Sequence, residues 1–255
     1  MKLTLAISTV SDNLNKALQV FDCFNEFTLS NVEFLVICQN DFGKDNFEQM
    51  GHVTVYYQSK KGLSKSRNYA IEKALGDYVW FLDDDVILKE SFIVDFISDK
   101  FRGYDLVFGK IYCSDINEAY KKYSRKRYRR YEMLRVSSIE IIVRREFLIN
   151  NEIYFDESLG LGARYPSGEE NIFLLGCYDA NASIIEIDEY CIYHPCNEEK
   201  REPKLLWAKP GYPYSKFNVA RNLGGLLGLV YALRTCFRAI MAGVPLLDVV
   251  KFIKS

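Results

Sequence analysis

The sequence predicts an α/β fold in which helices cover a largely parallel central sheet. Short apolar runs rich in β-branched and aromatic residues alternate with segments of helical periodicity, a pattern typical of such sheets. Runs without a polar face indicate strands that are buried on both sides. With 255 residues, the chain is long enough for one large domain, or for one domain with an appendage.

The first part of the chain supplies several predicted strands and two predicted helices. The strands span residues 3–8, 34–38, 53–57 and 78–82. Apolar residues at three-to-four spacing predict a helix from Leu14 to Phe24, with Asp12 or Asn13 as its cap. A second helix is predicted over residues 64–74, capped by Ser64. In parallel sheets ligands gather at the carboxyl ends of the strands, so polar residues that follow a strand are the first site candidates.

The second part of the chain continues this alternation less regularly. Helices are predicted over residues 90–101 and 144–149, and strands over residues 106–112, 139–143, 183–187 and 190–193. Between them, Gly160, Gly162, Pro166 and Gly168 mark an irregular loop. This loop leads into a helix that is predicted to begin near Glu169.

Three consecutive aspartates, Asp83, Asp84 and Asp85, follow the strand at residues 78–82. Adjacent carboxylates repel one another, so they need water or a cation to balance their charge. Side chains alternate along an extended chain, which points Asp83 and Asp85 to the same side. Carboxylate oxygens suit Mg²⁺ or Mn²⁺, which proteins commonly hold together with substrate phosphates. The sequence therefore predicts a divalent-metal site, with a solvated acidic turn as the alternative.

Two glutamates and a histidine are further site candidates. Glu169 and Glu170 stand at the predicted start of a helix, where the helix dipole alone favours carboxylates. The glycine-rich loop before them also fits a carboxylate held at a pocket edge as a proton acceptor. His194 follows the last predicted strand, where it either completes a metal site with the aspartates or lies on the surface. The residues alone leave both pairs of alternatives open.

Composition and missing motifs argue against several classes of protein. The net charge of −1 disfavours a general nucleic-acid binder. Neither Gly-x-Gly-x-x-Gly after the first strand nor Gly-x-x-x-x-Gly-Lys-Ser/Thr occurs, which disfavours dinucleotide binding and a P-loop. The seven cysteines are scattered without a Cys-x-x-Cys, which argues against a disulfide framework and for a reducing cytoplasm. The N-terminal apolar run is too short for a signal peptide.

Two segments indicate contacts outside the sheet. Residues 120–131 are basic and rich in tyrosine, which fits phosphate, lipid-headgroup or sugar binding, or a tyrosine stripe packed on the core. An apolar stripe runs along one helical face from Leu223 to Met241, with small residues opposite. Its longest uncharged run is shorter than the roughly twenty residues that span a bilayer. An interfacial helix, a cover for the sheet and a homodimer contact remain open.

Five stretches, taken in order, resemble a family 2 glycosyltransferase of the GT-A fold. They are the first strand with Ser8 and Thr9, and residues 62–71, 74–78, 81–85 and 168–171. The resemblance covers residues 3–195. It implies a GT-A α/β/α sandwich over residues 1–200, with a central, mostly parallel mixed sheet. Residues 201–255 would form a C-terminal helical extension that faces a membrane or a dimer partner.

The resemblance also implies roles for individual residues. Asp83 and Asp85 match the Asp-x-Asp motif, which binds a divalent metal and the ribose and diphosphate of a nucleotide-sugar. His194 matches a metal-binding histidine of some relatives, so Asp85, Asp83 and His194 are the implied ligands of Mn²⁺ or Mg²⁺. Glu169 and Glu170 match the family's Glu-Asp motif, whose second acid is the usual base; this places the base at Glu170 and keeps Glu169 as a candidate. The implied donor-binding residues are Ser8, Thr9, Asn40, Asp41, Lys65, Arg67, Asn68, Asp83 and Asp84.

The implied activity is that of an inverting hexosyltransferase with a UDP-sugar as the default donor. Many relatives carry an Asp-Asp-Gly-Ser run after the second strand, where this chain has Gln39-Asn40-Asp41, so the nucleotide base is in doubt. The implied acceptor is a saccharide hydroxyl on a lipid-linked oligosaccharide of surface-polysaccharide synthesis, at the cytoplasmic face of the membrane.

The sequence leaves two alternatives to this activity. One is a non-catalytic carbohydrate-binding or scaffold protein of the same fold, which the complete set of acids disfavours. The other is a sugar-phosphate nucleotidyltransferase. Those enzymes resemble one another in a glycine-rich, basic loop after the first strand, and residues 8–15 of this chain contain no glycine.

Overall fold

One mixed sheet forms the centre of the fold, in a computed structural model that describes residues 1–40, 45–123, 128–195 and 203–249. The strands of this part are β1 (Leu3–Val10), β2 (Val32–Gln39), β3 (Asn46–Met50), β4 (Val53–Gln58), β5 (Tyr78–Leu82), β6 (Ile87–Leu88), β7 (Leu106–Cys113), β8 (Glu118–Ala119), β9 (Ile141–Arg144) and β10 (Ile184–His194). They are ordered β3-β4-β2-β1-β5-β9-β7-β10-β6, and β8 pairs with β7.

Most of the long strands point in one direction. β1 is parallel to β2 and β5, and β4 is parallel to β2. β5 and β7 are both antiparallel to β9, and β10 is parallel to β7, so these strands share the direction of β1. The predicted α/β class with a mostly parallel mixed sheet is therefore confirmed. The carboxyl ends of β1, β2, β5 and β10 lie at one edge, where sequence reasoning placed the site.

In the described part of the chain, nine α-helices of six or more residues flank the sheet or pack on one another. They are α1 (Leu14–Gln19), α2 (Glu26–Asn31), α3 (Leu63–Lys73), α4 (Glu90–Asp95), α5 (Arg145–Asn150), α6 (Glu169–Asp179), α7 (Pro203–Ala208), α8 (Tyr212–Leu223) and α9 (Gly225–Met241). Short 3₁₀ turns lie between several of them, including one over Arg130–Arg135.

Several predicted details of the elements were wrong. The first helix ends at Gln19, and a separate helix, α2, is capped by the Asn25 side chain, which accepts a 3.0 Å hydrogen bond from the Thr28 amide. Neither Asn13 nor Ser64 caps a helix through its side chain, because the Ser64 hydroxyl donates instead to the Leu159 carbonyl at 2.6 Å. The two strands predicted at residues 183–193 form one strand with register shifts, which absorb the extra residues between its halves.

The core lies on both faces of the sheet, and β5 contributes to each. All five residues of β5 are buried, with Trp80 in the cluster under α4 and Phe81 in the cluster under α6. The Trp80 indole N–H donates to the Ile139 carbonyl at 2.7 Å, which satisfies its polar atom inside the core. Phe81 packs edge-on against Phe155 at 5.2 Å between ring centres. The strand that carries the aspartates is therefore held rigidly from above and below.

The tyrosines of the basic segment 120–131 pack mainly on the core where they are described. Tyr123 donates a 2.8 Å hydrogen bond to the buried Glu140 carboxylate, and the Tyr128 ring lies 4.8 Å from that of Phe108. Residues 124–127 lie outside the described residues. The described tyrosines thus favour the alternative of a stripe on the core.

Helix α9 packs through its small residues and turns its large apolar residues outward. At Gly228 an added Cβ atom would lie 2.3 Å from the Ala220 carbonyl of α8, so a side chain there would push the two helices apart. On the opposite side, Leu226, Leu233 and Phe237 keep 75%, 62% and 63% of their surface exposed. Among the alternatives for this stripe, a cover for the sheet is therefore wrong. No helix in the described part of the chain is long and apolar enough to cross a membrane.

The cysteines agree only partly with the expectation from the sequence. Cys23, Cys38, Cys177, Cys191 and Cys236 are free thiols, whereas Cys113 at the end of β7 is disulfide-bonded. One bridge is not a framework, but it departs from a chain in which every thiol is reduced.

Candidate active site

Asp83, Asp85 and His194 converge where β5 and β10 end. One potential ligand atom from each residue lies within 4.8 Å of the other two, and the His194 Nε2 atom is 3.1 Å from Asp85 Oδ1. The hydrogen bond from His194 lowers the pKa of Asp85, whereas burial raises the pKa of Asp83 despite the opposing charge of Arg67. Two carboxylates and an imidazole are a donor set that fits Mn²⁺ or Mg²⁺, so the residues present fit a divalent ion.

Asp84, between the two candidate ligands, is bound by the protein itself. Its carboxylate accepts a 2.6 Å hydrogen bond from the Thr9 hydroxyl. The Lys16 ammonium lies 3.4 Å from Asp84 and 3.6 Å from Asp85. This arrangement links the ends of β1 and β5 and offsets part of the charge of the three aspartates.

Arg67 connects the aspartates to the glutamates. This buried guanidinium lies 3.8 Å from Asp83 Oδ1 and 3.4 Å from Glu169 Oε1, and it stacks over Phe155 at 5.5 Å from the ring centre. Helix α3 directs Arg67 under the sheet edge because Leu63 and Ser64 at its first turn bond to the 159–161 loop. The planar guanidinium holds its N–H groups in a fixed fork, with Nη2 on the side of Asp83 and Nη1 on the side of Glu169.

Glu169 and Glu170 begin helix α6 and have different surroundings. Glu169 is buried, and its Oε2 atom has no hydrogen-bond partner within the described residues. Burial raises the pKa of Glu169 to about 7, the neighbouring Glu170 adds to the rise, and Arg67 opposes it. A carboxyl group with a pKa near neutrality is suited to accept a proton. Glu170 is more exposed and lies closer to α8 and α9.

The glycine-rich loop before α6 provides the room that Glu169 needs. Gly160 has a φ of +98°, and an added Cβ atom would lie 3.1 Å from the Glu169 Cδ atom. Gly168, with a φ of +96°, immediately precedes the helix. The left-handed backbone at these positions favours glycine, which explains why the loop is rich in this residue.

A single cleft of about 1490 Å³ joins these groups. Predicted site residues from five segments of the chain line it. They are Ser8, Thr9, Arg67, Asp83, Asp84, Asp85, Glu169, Glu170 and His194.

The structure does not bring every predicted residue to this cleft. Asn68 exchanges hydrogen bonds of 2.9 and 2.8 Å with the Phe155 backbone, so its amide holds the loop against α3. Asn40 is buried, its amide N–H donates to the Gln58 carbonyl, and neither Asn40 nor Lys65 lines the cleft. Asp41 lies outside the described residues. Donor binding by these residues stays a prediction.

Other residues at the site were not among the predicted site residues, although Gln39 was placed at the strand ends. Gln39 accepts a 2.9 Å hydrogen bond from the Gly62 amide and so fixes the start of α3. Lys16 contacts Asp84 and Asp85 from α1 without lining the cleft, and the sequence indicated only a helix at this position. The opposite wall comes from the Arg130–Arg135 turn and from α7 to α9. The basic residues at helical spacing in α9 were a signal, but the sequence does not say which side of the helix meets the cleft.

Comparison with solved structures identifies similar folds. TarS from S. aureus, residues 1–349, has a TM-score of 0.58 and 17% sequence identity over 87% of this chain and 65% of that one. The same fragment in complex with UDP-GlcNAc has a TM-score of 0.57 and 18% identity over 87% of this chain and 66% of that one. Its complex with UDP has a TM-score of 0.57 and 19% identity, over 91% and 66% of the two chains. This chain therefore spans 65–66% of the length of these three TarS chains, and the likeness at this identity concerns the fold.

Comparison at the level of sequence agrees with this fold. No curated protein matches the chain, but the sequence model described as "Glycosyl transferase family 2" matches residues 19–155. The match includes α3, β5 and the three aspartates, and it covers more than half of the chain. The protein therefore belongs to glycosyl transferase family 2.

Proposed function

We propose that this protein is a metal-dependent inverting glycosyltransferase that transfers a sugar from a UDP-sugar to a saccharide hydroxyl. One observation carries the proposal. Asp83, Asp85 and His194 lie in the same cleft as Arg67 and the two glutamates. The TarS structures with UDP and UDP-GlcNAc support a nucleotide-sugar as the class of donor.

Sugar transfer requires that the negative charge on the departing diphosphate be offset and that a proton be removed from the acceptor hydroxyl. A bound Mn²⁺ or Mg²⁺ would act as a Lewis acid on the donor diphosphate. Asp83, Asp85 and His194 would hold this ion, while Ser8 and Thr9 line the adjacent wall of the cleft. Lys16 adds positive charge beside the aspartates, which favours a departing diphosphate.

A glutamate at the start of α6 would take the proton of the acceptor hydroxyl as that oxygen attacks the anomeric carbon. We assign this role to Glu170, which matches the second acid of the family's Glu-Asp motif. Glu169, whose pKa is raised to about 7, is the alternative. Both line the cleft, and carboxylates are common general bases. No other carboxylate among the described cleft residues is placed as a nucleophile, so we propose one displacement with inversion. Retention of the donor's anomeric configuration in the product would contradict this step.

The exposed stripe of α9 supports an acceptor that is linked to a lipid. Leu226, Leu229, Leu233, Phe237 and Met241 are all more than half exposed on one side of the helix. Large apolar side chains on one face, with arginines beside them, are typical of helices that lie in a membrane interface. We therefore propose peripheral contact with the cytoplasmic face of a membrane, and synthesis of a surface polysaccharide as the setting.

Donor binding is tested by thermal unfolding with nucleoside diphosphates. At one hundred times its dissociation constant, UDP with Mn²⁺ is expected to raise the melting temperature by roughly 5–10 °C, because a ligand that binds only the folded state stabilises it. ADP, GDP and CDP, each with Mn²⁺, identify the base preference, and UDP with EDTA is the control. Hydrolysis of UDP-GlcNAc with Mn²⁺ separates an enzyme from a protein that only binds. The absence of a shift with every diphosphate would contradict the proposal.

Membrane contact is tested by sedimentation with anionic vesicles. The double variant Leu233→Ser/Phe237→Ser is expected to partition at least tenfold less than the wild type, because each buried Leu or Phe side chain contributes about 1.5–3 kcal/mol. Leu75→Ser/Ile87→Ser is a matched control, since these side chains are 73% and 64% exposed elsewhere on the surface. Equal recovery of the wild type and the α9 variant in the pellet would contradict membrane contact through α9.

A further inference from the structure

The two walls of the cleft carry opposite charges. The wall at the strand ends is acidic, with three aspartates and two glutamates. The opposite wall carries Arg135, Lys216, Arg234 and Arg238, which we call the cationic wall, and one carboxylate, Glu132, on the same turn as Arg135. Arg234 and Arg238 are one helical turn apart on α9, so their side chains are neighbours.

Among the described residues, the cations of this wall form no close ion pair, although the charge of Glu170 acts on Lys216. Within the described residues, no carboxylate lies within 4.0 Å of the charged groups of Lys216, Arg234 or Arg238. Cations at other partly buried places are paired, for example Arg130 with Asp179 at 2.8 Å. Lys216 is half-buried, and its ammonium lies over the Tyr212 ring, 4.8 Å from the ring centre. Arg234 and Arg238 are exposed at the cleft, so an anion can reach their guanidinium groups, and like charges gathered on one wall favour its binding.

Aromatic rings line the same wall as these cations. Arg234 Nη1 donates a 3.1 Å hydrogen bond to the Tyr131 hydroxyl, which fixes one guanidinium at the cleft. Trp207 and Tyr212 are in edge contact at 6.1 Å and line the same wall. Flat rings offer apolar surfaces to the faces of a sugar ring, and their polar edges bond to its hydroxyls. The wall thus combines groups for a saccharide with groups for an anion.

The position of the wall distinguishes it from the donor end. The charge of Glu170 contributes to the pKa of Lys216 and of Tyr231, so the wall borders the candidate base. The aspartates, by contrast, are accompanied by their own cations, Lys16 and Arg67. A group bound at the cationic wall therefore lies on the side from which an acceptor reaches the base.

We propose that the cationic wall is an acceptor subsite for a phosphate group, carried by the acceptor close to the hydroxyl that is glycosylated. Guanidinium groups form paired hydrogen bonds with phosphate oxygens, and an ammonium adds a point charge. The inference rests on the proposed function, because it presumes that the acidic wall takes the donor. The phosphate belongs either to the saccharide itself or to the diphosphate of a lipid carrier.

The test is a binding titration of the full chain at saturating UDP and Mn²⁺, so that the donor end is filled. The probes are glucose 1-phosphate, geranyl diphosphate and the neutral methyl glucoside. Binding is followed by tryptophan fluorescence, since Trp207 lines the wall and Trp80 is fully buried in the core. At least one phosphate probe is expected to bind roughly tenfold or more tightly than methyl glucoside. Preference for glucose 1-phosphate assigns the phosphate to the saccharide, and preference for geranyl diphosphate assigns it to a lipid carrier.

Variants of the cationic wall test whether it is the site at which the phosphate probe binds. Arg234→Gln/Arg238→Gln is expected to weaken binding of the preferred phosphate probe roughly tenfold, and the affinity is expected to fall with added salt. Arg221→Gln is the control, because Arg221 is an exposed arginine of α8 outside the cleft lining. Lys216→Gln repeats the test at a second element, and melting curves verify that each variant is folded.

Two results would overturn the inference. One is equal affinity for the phosphate probes and methyl glucoside. The other is an arginine variant that binds UDP with Mn²⁺ more weakly but the phosphate probe as before, since the wall would then serve the donor. If UDP with Mn²⁺ does not bind the wild type, the proposed function fails separately. A titration without nucleotide then still measures the affinity of the cationic wall for the phosphate probe. An unchanged affinity in the arginine variants would reject the wall as a phosphate site.

Discussion

The variant Asp85→Ala is expected to lose sugar transfer and UDP-GlcNAc hydrolysis by roughly 10²–10³-fold or more, because the loss of one ligand weakens charge stabilisation at the departing diphosphate. Asp85 is the residue of choice because it contacts both His194, at 3.1 Å, and Lys16, at 3.6 Å. The measurement is the rate as a function of Mn²⁺ concentration, together with the melting temperature with UDP and Mn²⁺.

The control for this variant is Asp188→Asn. Asp188 is a fully exposed carboxylate of the same strand as His194, and it lies 3.3 Å from Lys110. It removes one negative charge without touching the cleft, so the Mn²⁺ dependence is expected to stay as in the wild type. If Asp85→Ala keeps the wild-type rate and the wild-type Mn²⁺ dependence, the group Asp83, Asp85 and His194 is not the functional metal site.

The variant Glu170→Gln is expected to lower kcat by roughly 10²–10⁴-fold, the usual contribution of a positioned general base. Binding of UDP with Mn²⁺ is expected to be retained, since the amide has nearly the same shape and lies away from the aspartates. Glu169→Gln is the matched comparison, because it makes the same chemical change one residue earlier. A larger loss of kcat in Glu169→Gln, with Glu170→Gln close to the wild type, would transfer the role of base to Glu169.

The pH dependence separates the two glutamates further. The pKa of Glu169 is raised to about 7, so the folded state binds a proton that the unfolded state has released between about pH 4.5 and 7. The free energy of unfolding therefore falls with rising pH across this window, and the fall is expected to be absent in Glu169→Gln. If Glu169 is the base, kcat/KM rises over the same window toward pH 7, and this limb disappears in Glu169→Gln. A rise of the same size in that variant would exclude Glu169 as its origin.

The sequence predicted those parts of the site that follow directly from strand ends and a helix start. Asp83, Asp85 and His194 end two strands that point in the same direction, so identifying these strands was enough to bring the residues together. Glu169 and Glu170 were found because glycines mark the loop before them. Arg67 was predicted among the donor-binding residues, and its observed contacts are carboxylates on both sides.

The remaining parts depend on how helices are rotated against the sheet, which periodicity alone does not determine. The two faces of α9 were assigned correctly, but the small face packs inward and the apolar face outward, the reverse of a helix that covers a core. Arg234 and Arg238 reach the cleft only because of that orientation. Asn68 follows Arg67 in the matching motif, yet the turn of α3 directs its amide to the Phe155 backbone.

The position of Arg67 between Asp83 and Glu169 makes the two ends of the cleft thermodynamically dependent on each other. One guanidinium shared by two carboxylates is attracted more strongly to one when the other loses its negative charge. Binding of the donor and its metal at Asp83 must then alter the proton affinity of Glu169. Protonation of Glu169 must alter the affinity for that donor by the same free energy. Because this coupling is reciprocal, donor affinity measured against pH and proton uptake measured on donor binding should report one and the same quantity.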